Sequence, residues 1–380
     1  MVSRFVRASF VAALLLVSAC LGPASAPLPP PPPAPPAPAG PPAPASALAP
    51  APASTTAPSS AREPGLELAD LGTCALESGA TIEGCRLGYR TFGTLDAARS
   101  NAVLFPSWFS GTSKSLRDVV PDKLVDTKKY FLVLVDALGD GVSSSPSNSQ
   151  TQPRLAFPRF SIRDMVEAER RLVTDVLGIP KLHAVMGISM GGMQAIEWSV
   201  TYPDLVARVV PIVGTPQLTS NDLLLWSAEL HALESDVAYR NGEYAGRPPM
   251  RAVLDIHELA LTTPAYRAEQ TSREAFPAWL AAREAELGFD WNDWHRQLEA
   301  MMVHDVGRPY GSLAAAAKRV KAKGLYVVAE HDHMVSPIPA KAFARATNAK
   351  LVVLEGPCGH LAPGCESAKL AQAVTTFLAQ

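Results

Sequence analysis

The stretch Gly187-Ile188-Ser189-Met190-Gly191-Gly192 constrains this chain more than any other. Ahead of it, Leu182-His183-Ala184-Val185-Met186 is a short apolar run with strand character. Behind it, Met193-Gln194-Ala195-Ile196-Glu197-Trp198 continues as a helix. A strand that becomes a helix around a serine needs small neighbours so that the two elements can cross. That is the G-x-S-x-G elbow, in which the serine takes a strained backbone and its Oγ projects above a sheet edge. Ser189 is therefore the expected nucleophile, and the Met190 N–H is expected to point into the oxyanion site.

The rest of the chain supplies the sheet that such an elbow requires. Continuous apolar runs recur at 102–105, 130–135, 182–186, 209–213, 325–329 and 350–354, as expected for strands buried on both faces. Helical patterns at 162–177 and 192–201 lie between them, predicting a mostly parallel α/β sheet flanked by helices. The interval 218–317 breaks the alternation. It holds amphipathic stretches at 221–233, 274–287 and 291–303, which predict a helical lid over the strands' C-terminal edge, where ligands bind in such sheets. Trp226, Trp279, Trp291, Trp294, Met301 and Met302 lie in this interval. Packing is the expected role for most of them, lining an acyl pocket the alternative.

A serine nucleophile needs a base, and the base an orienting carboxylate. In this arrangement the acid and then the His follow the Ser in order, each just beyond a strand. The run 325–329 leads into Glu330-His331-Asp332-His333, and 350–354 leads into Glu355-Gly356-Pro357-Cys358-Gly359-His360. Asp332 and His360 fit the acid and base, with Glu330 and His331 as rivals. The second oxyanion donor is expected from the loop after an early strand, Ser107-Trp108-Phe109-Ser110-Gly111, at Phe109 or else Trp108.

At the N-terminus, Arg4 and Arg7 precede an apolar core at 10–17 and the small residues Ser18-Ala19-Cys20. This reads as a signal peptide, too short to span a bilayer comfortably. Val17-Ser18-Ala19-Cys20 is similar to a bacterial lipobox, so residues 1–20 are expected to be a lipoprotein signal with Cys20 as the lipidated residue. A plain signal peptide cleaved near Ala26 is the alternative. Leu21 is not the Asp that retains lipoproteins in the inner membrane, which points, for a Gram-negative source, to the outer membrane facing the periplasm. Sixteen of the 35 prolines fall between residues 21 and 63. The stretch 21–66 is therefore expected to be a disordered Pro/Ala-rich linker leading to one domain at 67–380.

Export bears on the remaining cysteines. Cys74, Cys85, Cys358 and Cys365 are even in number and close in pairs, predicting Cys74–Cys85 and Cys358–Cys365 disulfides, with four free buried thiols as the alternative. The second pair brackets His360. No C-x-x-C spacing suggests a metal, and no cofactor is expected. A net charge of −2 with no basic stripe argues against nucleic acid as a partner.

Gly88-Tyr89-Arg90-Thr91-Phe92-Gly93-Thr94-Leu95, Asn101-Ala102-Val103, Gly139-Asp140-Gly141 with Ser144-Ser145-Pro146-Ser147-Asn148, and Gly187 to Trp198 with Tyr202-Pro203-Asp204 resemble the homoserine O-acetyltransferase family of α/β-hydrolases. The likeness runs from about residue 67 to the end. It implies the α/β-hydrolase fold, the triad named above, and a homodimer through lid helices as one form of assembly.

The departures concern substrate. The family reads His-Ala-Leu-Thr-Gly where this chain has Ser107 to Gly111. The family's Arg for the homoserine carboxylate is missing at His231-Ala232-Leu233, and Leu361 follows His360 where the family has an Asp. A zwitterion needs paired charges to offset its desolvation. Together with export, away from acetyl-CoA, this predicts an acyl hydrolase acting on a small-molecule ester. An acyltransferase of the homoserine type is the runner-up, and a non-catalytic lipoprotein scaffold is a third reading that the intact Ser, Asp and His oppose.

Overall fold

The computed structural model describes Glu63 and residues 65–380, apart from Glu286 and Leu287. The expected signal peptide, the Cys20 lipidation site and nearly all of the linker lie outside the described residues. Glu63, inside the stretch read as linker, pairs with Arg90 at 2.7 Å and Lys114 at 2.9 Å. No helix among the described residues is long and apolar enough to cross a membrane.

The chain runs β1 (Glu67–Ala75), β2 (Thr81–Phe92), β3 (Ala102–Pro106), α1 (Ser113–Leu116), β4 (Phe131–Val135), α2 (Ile162–Arg171), β5 (Ala184–Ile188), α3 (Met190–Thr201) and β6 (Arg208–Ile212). Six helices follow: α4 (Ser220–Ser235), α5 (Arg251–Leu261), α6 (Pro264–Gln270), α7 (Phe276–Ala285), α8 (Trp291–Met302) and α9 (Leu313–Ala317). Then come β7 (Lys323–Ala329), α10 (Pro337–Ala346), β8 (Lys350–Leu354), α11 (Ala362–Cys365) and α12 (Ser367–Leu378).

The eight strands form one sheet in the order β1-β2-β4-β3-β5-β6-β7-β8. From β4 to β8 every pairing is parallel; β1 and β2 form an antiparallel hairpin whose second strand pairs antiparallel to β4. Side chains alternate between two buried faces. Leu104, Val133, Val185 and Val209 pack against α2, α3 and the helices after β6. Val103, Phe105, Leu132, Leu134, Met186 and Val210 pack against Leu370, Val374 and Phe377 of α12. Each fully buried side chain of this size stabilises the fold by roughly 1.5–3 kcal/mol, which is why these strands tolerate almost no polar residue.

Two capping boxes start the helices that matter most for the site's surroundings. Ser161 and Asp164 exchange side-chain and backbone bonds at the start of α2, as do Thr219 and Asp222 at the start of α4. Asp222 has a second partner: its Oδ1 accepts from the Ser336 N–H at 3.0 Å. The first helix between β6 and β7 is thereby tied to the loop after β7. Helix α2 does not run regularly to 177; after Arg171 it passes into a π-helical turn at Leu172–Val176.

Candidate active site

Ser189 occupies the single residue between β5 and α3. Its backbone sits at φ 57°, ψ −121°, a conformation costly for a residue with a Cβ. The sheet holds it there, since its N–H donates to Ile212 O of β6 at 2.8 Å. Two glycines make the crossing possible. A Cβ on Gly187 would lie 2.2 Å from Gly191 O, and one on Gly191 would lie 2.5 Å from Pro106 O. The start of α3 therefore rests directly on the end of β3.

The loops after β7 and β8 bring two side chains to this serine. His360 Nε2 is 2.8 Å from Ser189 Oγ, and His360 Nδ1 is 2.7 Å from Asp332 Oδ2. Asp332 is in turn anchored: its Oδ1 accepts from the Met334 and Val335 N–H groups, each at 2.9 Å. All three side chains are largely buried. The rivals lie elsewhere. Glu330 is exposed and bonded to Lys341 Nζ at 2.6 Å, an ion pair that holds its carboxyl below the usual range. His331 is exposed, and among the described residues the histidine bonded to Ser189 is His360.

For the oxyanion donors, Met190 is the first residue of α3, where a helix leaves its N–H unpaired. The loop after β3 lies beside it, because Gln194 Nε2 donates to both Ser107 O and Met190 O. Among the described residues neither the Phe109 nor the Trp108 N–H has an intramolecular partner, so both donors considered from sequence remain free for a ligand. The next residue, Ser110, has φ 60° and donates its N–H to Gln297 Oε1 at 3.0 Å.

Ser189 and His360 open into a cavity of about 960 Å³. Trp108, Phe109, Ile188, Trp226, Leu261 and Met334 give it a mainly apolar wall, with His257 set among them. Of the aromatic and sulfur side chains noted in the 218–317 interval, only Trp226 lines this cavity. Trp291, Trp294 and Met301 are buried in the core, Met302 packs against it, and Trp279 lies under the Arg267 guanidinium at 3.9 Å. The segment 139–148 is absent from the cavity wall. It is a framework element, with the Gly88 N–H donating to Ser143 Oγ and Ser143 Oγ donating to Asp136 O.

Both cysteine pairs are disulfides. Cys74–Cys85 joins the β1–β2 hairpin, and Cys358–Cys365 spans the turn that carries His360. Gln297, His257 and Glu229 were not singled out from sequence. Each sits on a helix between β6 and β7, and its partner lies 28 or more residues away along the chain, so no local signal marks it.

The family model of the α/β hydrolase fold matches residues 101–363. A probable esterase of Corynebacterium glutamicum is 33% identical over 312 residues, covering 78% of this chain and 89% of its own. The homoserine O-acetyltransferase of Thermobifida fusca is 31% identical over 343 residues, covering 75% and 86%. Among solved structures, the acetyl esterase MekB superposes with a TM-score of 0.76 at 30% identity, covering 83% of this chain and 95% of its own. The chain belongs to the α/β-hydrolase fold family of enzymes, in the branch that esterases share with homoserine O-acetyltransferases.

Proposed function

For this member of the α/β-hydrolase fold family, we propose an esterase that works through an acyl-enzyme on Ser189 and is exported and lipid-anchored through Cys20. The observation that carries the catalytic part is the unbroken chain Asp332–His360–Ser189, with bonds of 2.7 and 2.8 Å, at the end of an apolar cavity. Ser189 Oγ attacks the ester carbonyl as His360 Nε2 takes its proton. Asp332 holds the imidazole in the tautomer that permits this and stabilises the imidazolium. The oxyanion is received by the N–H of Met190 and that of Phe109. The ester C–O bond then breaks and His360 returns the proton to the departing alcohol. Water repeats the cycle on the acyl-enzyme, His360 again taking a proton, and the acid leaves with Ser189 restored.

Water is favoured over homoserine as acceptor by what lines the cavity. Lys123 is its single Lys or Arg side chain among the described residues, and it donates to Asp118 O. Leu361, half exposed in the wall, stands directly after His360 where the family has an acid. A buried α-carboxylate and ammonium would meet no paired charges there. Homoserine acylation stays the second reading because relatives with that name align over most of the chain.

The test is product analysis with water and homoserine offered together. Hydrolysis of p-nitrophenyl acetate, abolished in Ser189→Ala together with fluorophosphonate labelling, is expected. Acetyl transfer from acetyl-CoA to homoserine without ester hydrolysis would overturn the reading. The anchor is supported by the Val17-Ser18-Ala19-Cys20 sequence; release of the mature protein from membranes in Cys20→Ser is the expected result, and its retention would remove that part.

A further inference from the structure

We propose that His257, backed by the buried carboxylate of Glu229, determines specificity by recognising a hydroxyl group on the ester that fills the cavity. This rests on the esterase reading and deepens it.

Glu229 lies on α4 and is wholly buried; its Oε1 is 3.2 Å from His257 Nδ1 on α5, and its Oε2 has no hydrogen-bond partner. A carboxylate so placed is strongly destabilising unless a donor faces it. His257 is that donor, so the proton sits on Nδ1. The other ring nitrogen, Nε2, has no partner among the described residues, and the side chain, 16% exposed, forms part of the cavity wall. The ring is confined by aromatic neighbours on several sides, with centroids 5.0 Å away at Trp294, 5.9 Å at Phe109 and 6.3 Å at Trp226. A ring held at Nδ1 by a buried carboxyl group, with its second nitrogen unpartnered, is thus part of the wall of a largely apolar chamber that also holds the nucleophile. The triad does not use it.

What Nε2 recognises follows from its chemistry. In the neutral ring Nε2 is an acceptor and needs a donor; in the imidazolium it donates and needs an acceptor. A hydroxyl serves both states. An alkyl group would leave Nε2 desolvated and unpaired, and a substrate carboxylate would be repelled by Glu229 whenever the ring is neutral.

The experiment compares kcat/KM for ethyl butyrate, ethyl 3-hydroxybutyrate and 2-hydroxyethyl butyrate. One hydroxylated ester is expected to exceed ethyl butyrate by about tenfold, and which one it is reports whether the hydroxyl belongs to the acyl or the alcohol side. His257→Phe should bring that ratio close to one, as should Glu229→Leu. Glu229→Gln, whose amide oxygen still accepts from Nδ1, should keep most of it. A merely structural role would lower all three rates together and leave the ratio unchanged, which would overturn the proposal; His257→Gln gives the same reading if the Phe variant does not fold. Wild-type enzyme that cleaves ethyl butyrate with no preference for either hydroxylated ester defeats this inference alone. Wild-type enzyme that cleaves none of the three defeats the esterase reading, and this inference falls with it.

Discussion

Gln297 of α8 accepts the Ser110 N–H on its Oε1 at 3.0 Å and donates from its Nε2 to Leu138 O at 3.1 Å. One fully buried side chain from the helices between β6 and β7 thus clamps the loop after β3, beside the Phe109 N–H and at a residue with positive φ. The proposed oxyanion donor is held indirectly by Gln297, which acts as a positioning residue. Direct loss of such a donor costs about 10²–10³ in kcat. Gln297→Met, which keeps the length and removes both bonds, is expected to lower kcat on a short ester by about tenfold to a hundredfold. KM should change little, since the cavity walls remain. Unchanged kcat in a folded Gln297→Met protein would show that the loop holds itself.

That contact also shows where sequence reading stops. The strands β3 to β7 were legible because their central residues are buried on both faces and apolar, as at Val103, Leu104 and Phe105, and the edge strand β8 because 351–354 stay apolar although partly exposed. The hairpin β1–β2 was not, because it lies at the antiparallel edge of the sheet and alternates exposed with buried positions along Glu67–Ala75. The meeting of Ser189, Asp332 and His360 was legible because fold order and strand ends restrict where a serine, an acid and a histidine can come together. Gln297 and Ser110 are 187 residues apart, and His257 and Glu229 are joined across two helices. Tertiary contacts of this kind leave no periodicity behind them.

The elbow makes a sharper demand on side-chain volume. A Cβ at Gly187 would stand 2.2 Å from the Gly191 carbonyl carbon and oxygen, both backbone atoms that cannot yield without moving α3. Gly187→Ala is expected to destabilise the protein by about 1–3 kcal/mol or more and to reduce the proposed ester hydrolysis further than the folded fraction explains, because Ser189 moves with the helix. Gly288→Ala, where nothing lies within 4 Å, serves as the control. Thermal melts and active-site titration of the two variants check this. Equal melting temperatures would mean the crossing is looser than the geometry says.

The two disulfides should separate stability from activity. Cys358–Cys365 closes a short loop around His360, and Cys74–Cys85 closes a comparable one in the edge hairpin. Chain-entropy arguments assign each about 2–3 kcal/mol. Removing either pair by double Cys→Ala substitution is expected to lower Tm by a similar amount. Only loss of the Cys358–Cys365 pair should lower kcat, since it frees the turn that presents Nε2 to Ser189. The measurement is kcat at a temperature where all variants are folded. A fall in kcat for the Cys74/Cys85 variant alone would contradict it.

A buried acid outside the site predicts how stability depends on pH. Glu169 of α2 is wholly buried; its Oε2 accepts from Trp198 Nε1 at 2.6 Å and its Oε1 has no partner. Burial pushes its carboxyl up to about 8, with the indole bond only partly opposing the shift. The folded state therefore keeps a proton that the unfolded chain releases near the ordinary value of 4.5. Fewer protons are bound in the unfolded state through this window, so the group's contribution is fully present below about pH 4.5 and is lost as pH rises towards 8. Glu169→Gln keeps an acceptor for Trp198 and has no charge to bury. Its stability relative to wild type is expected to rise between pH 5 and 8, by up to about 1.4 kcal/mol for each pH unit. Urea unfolding of both proteins across that range checks the slope, and a constant difference would show that Glu169 titrates as an ordinary exposed acid does.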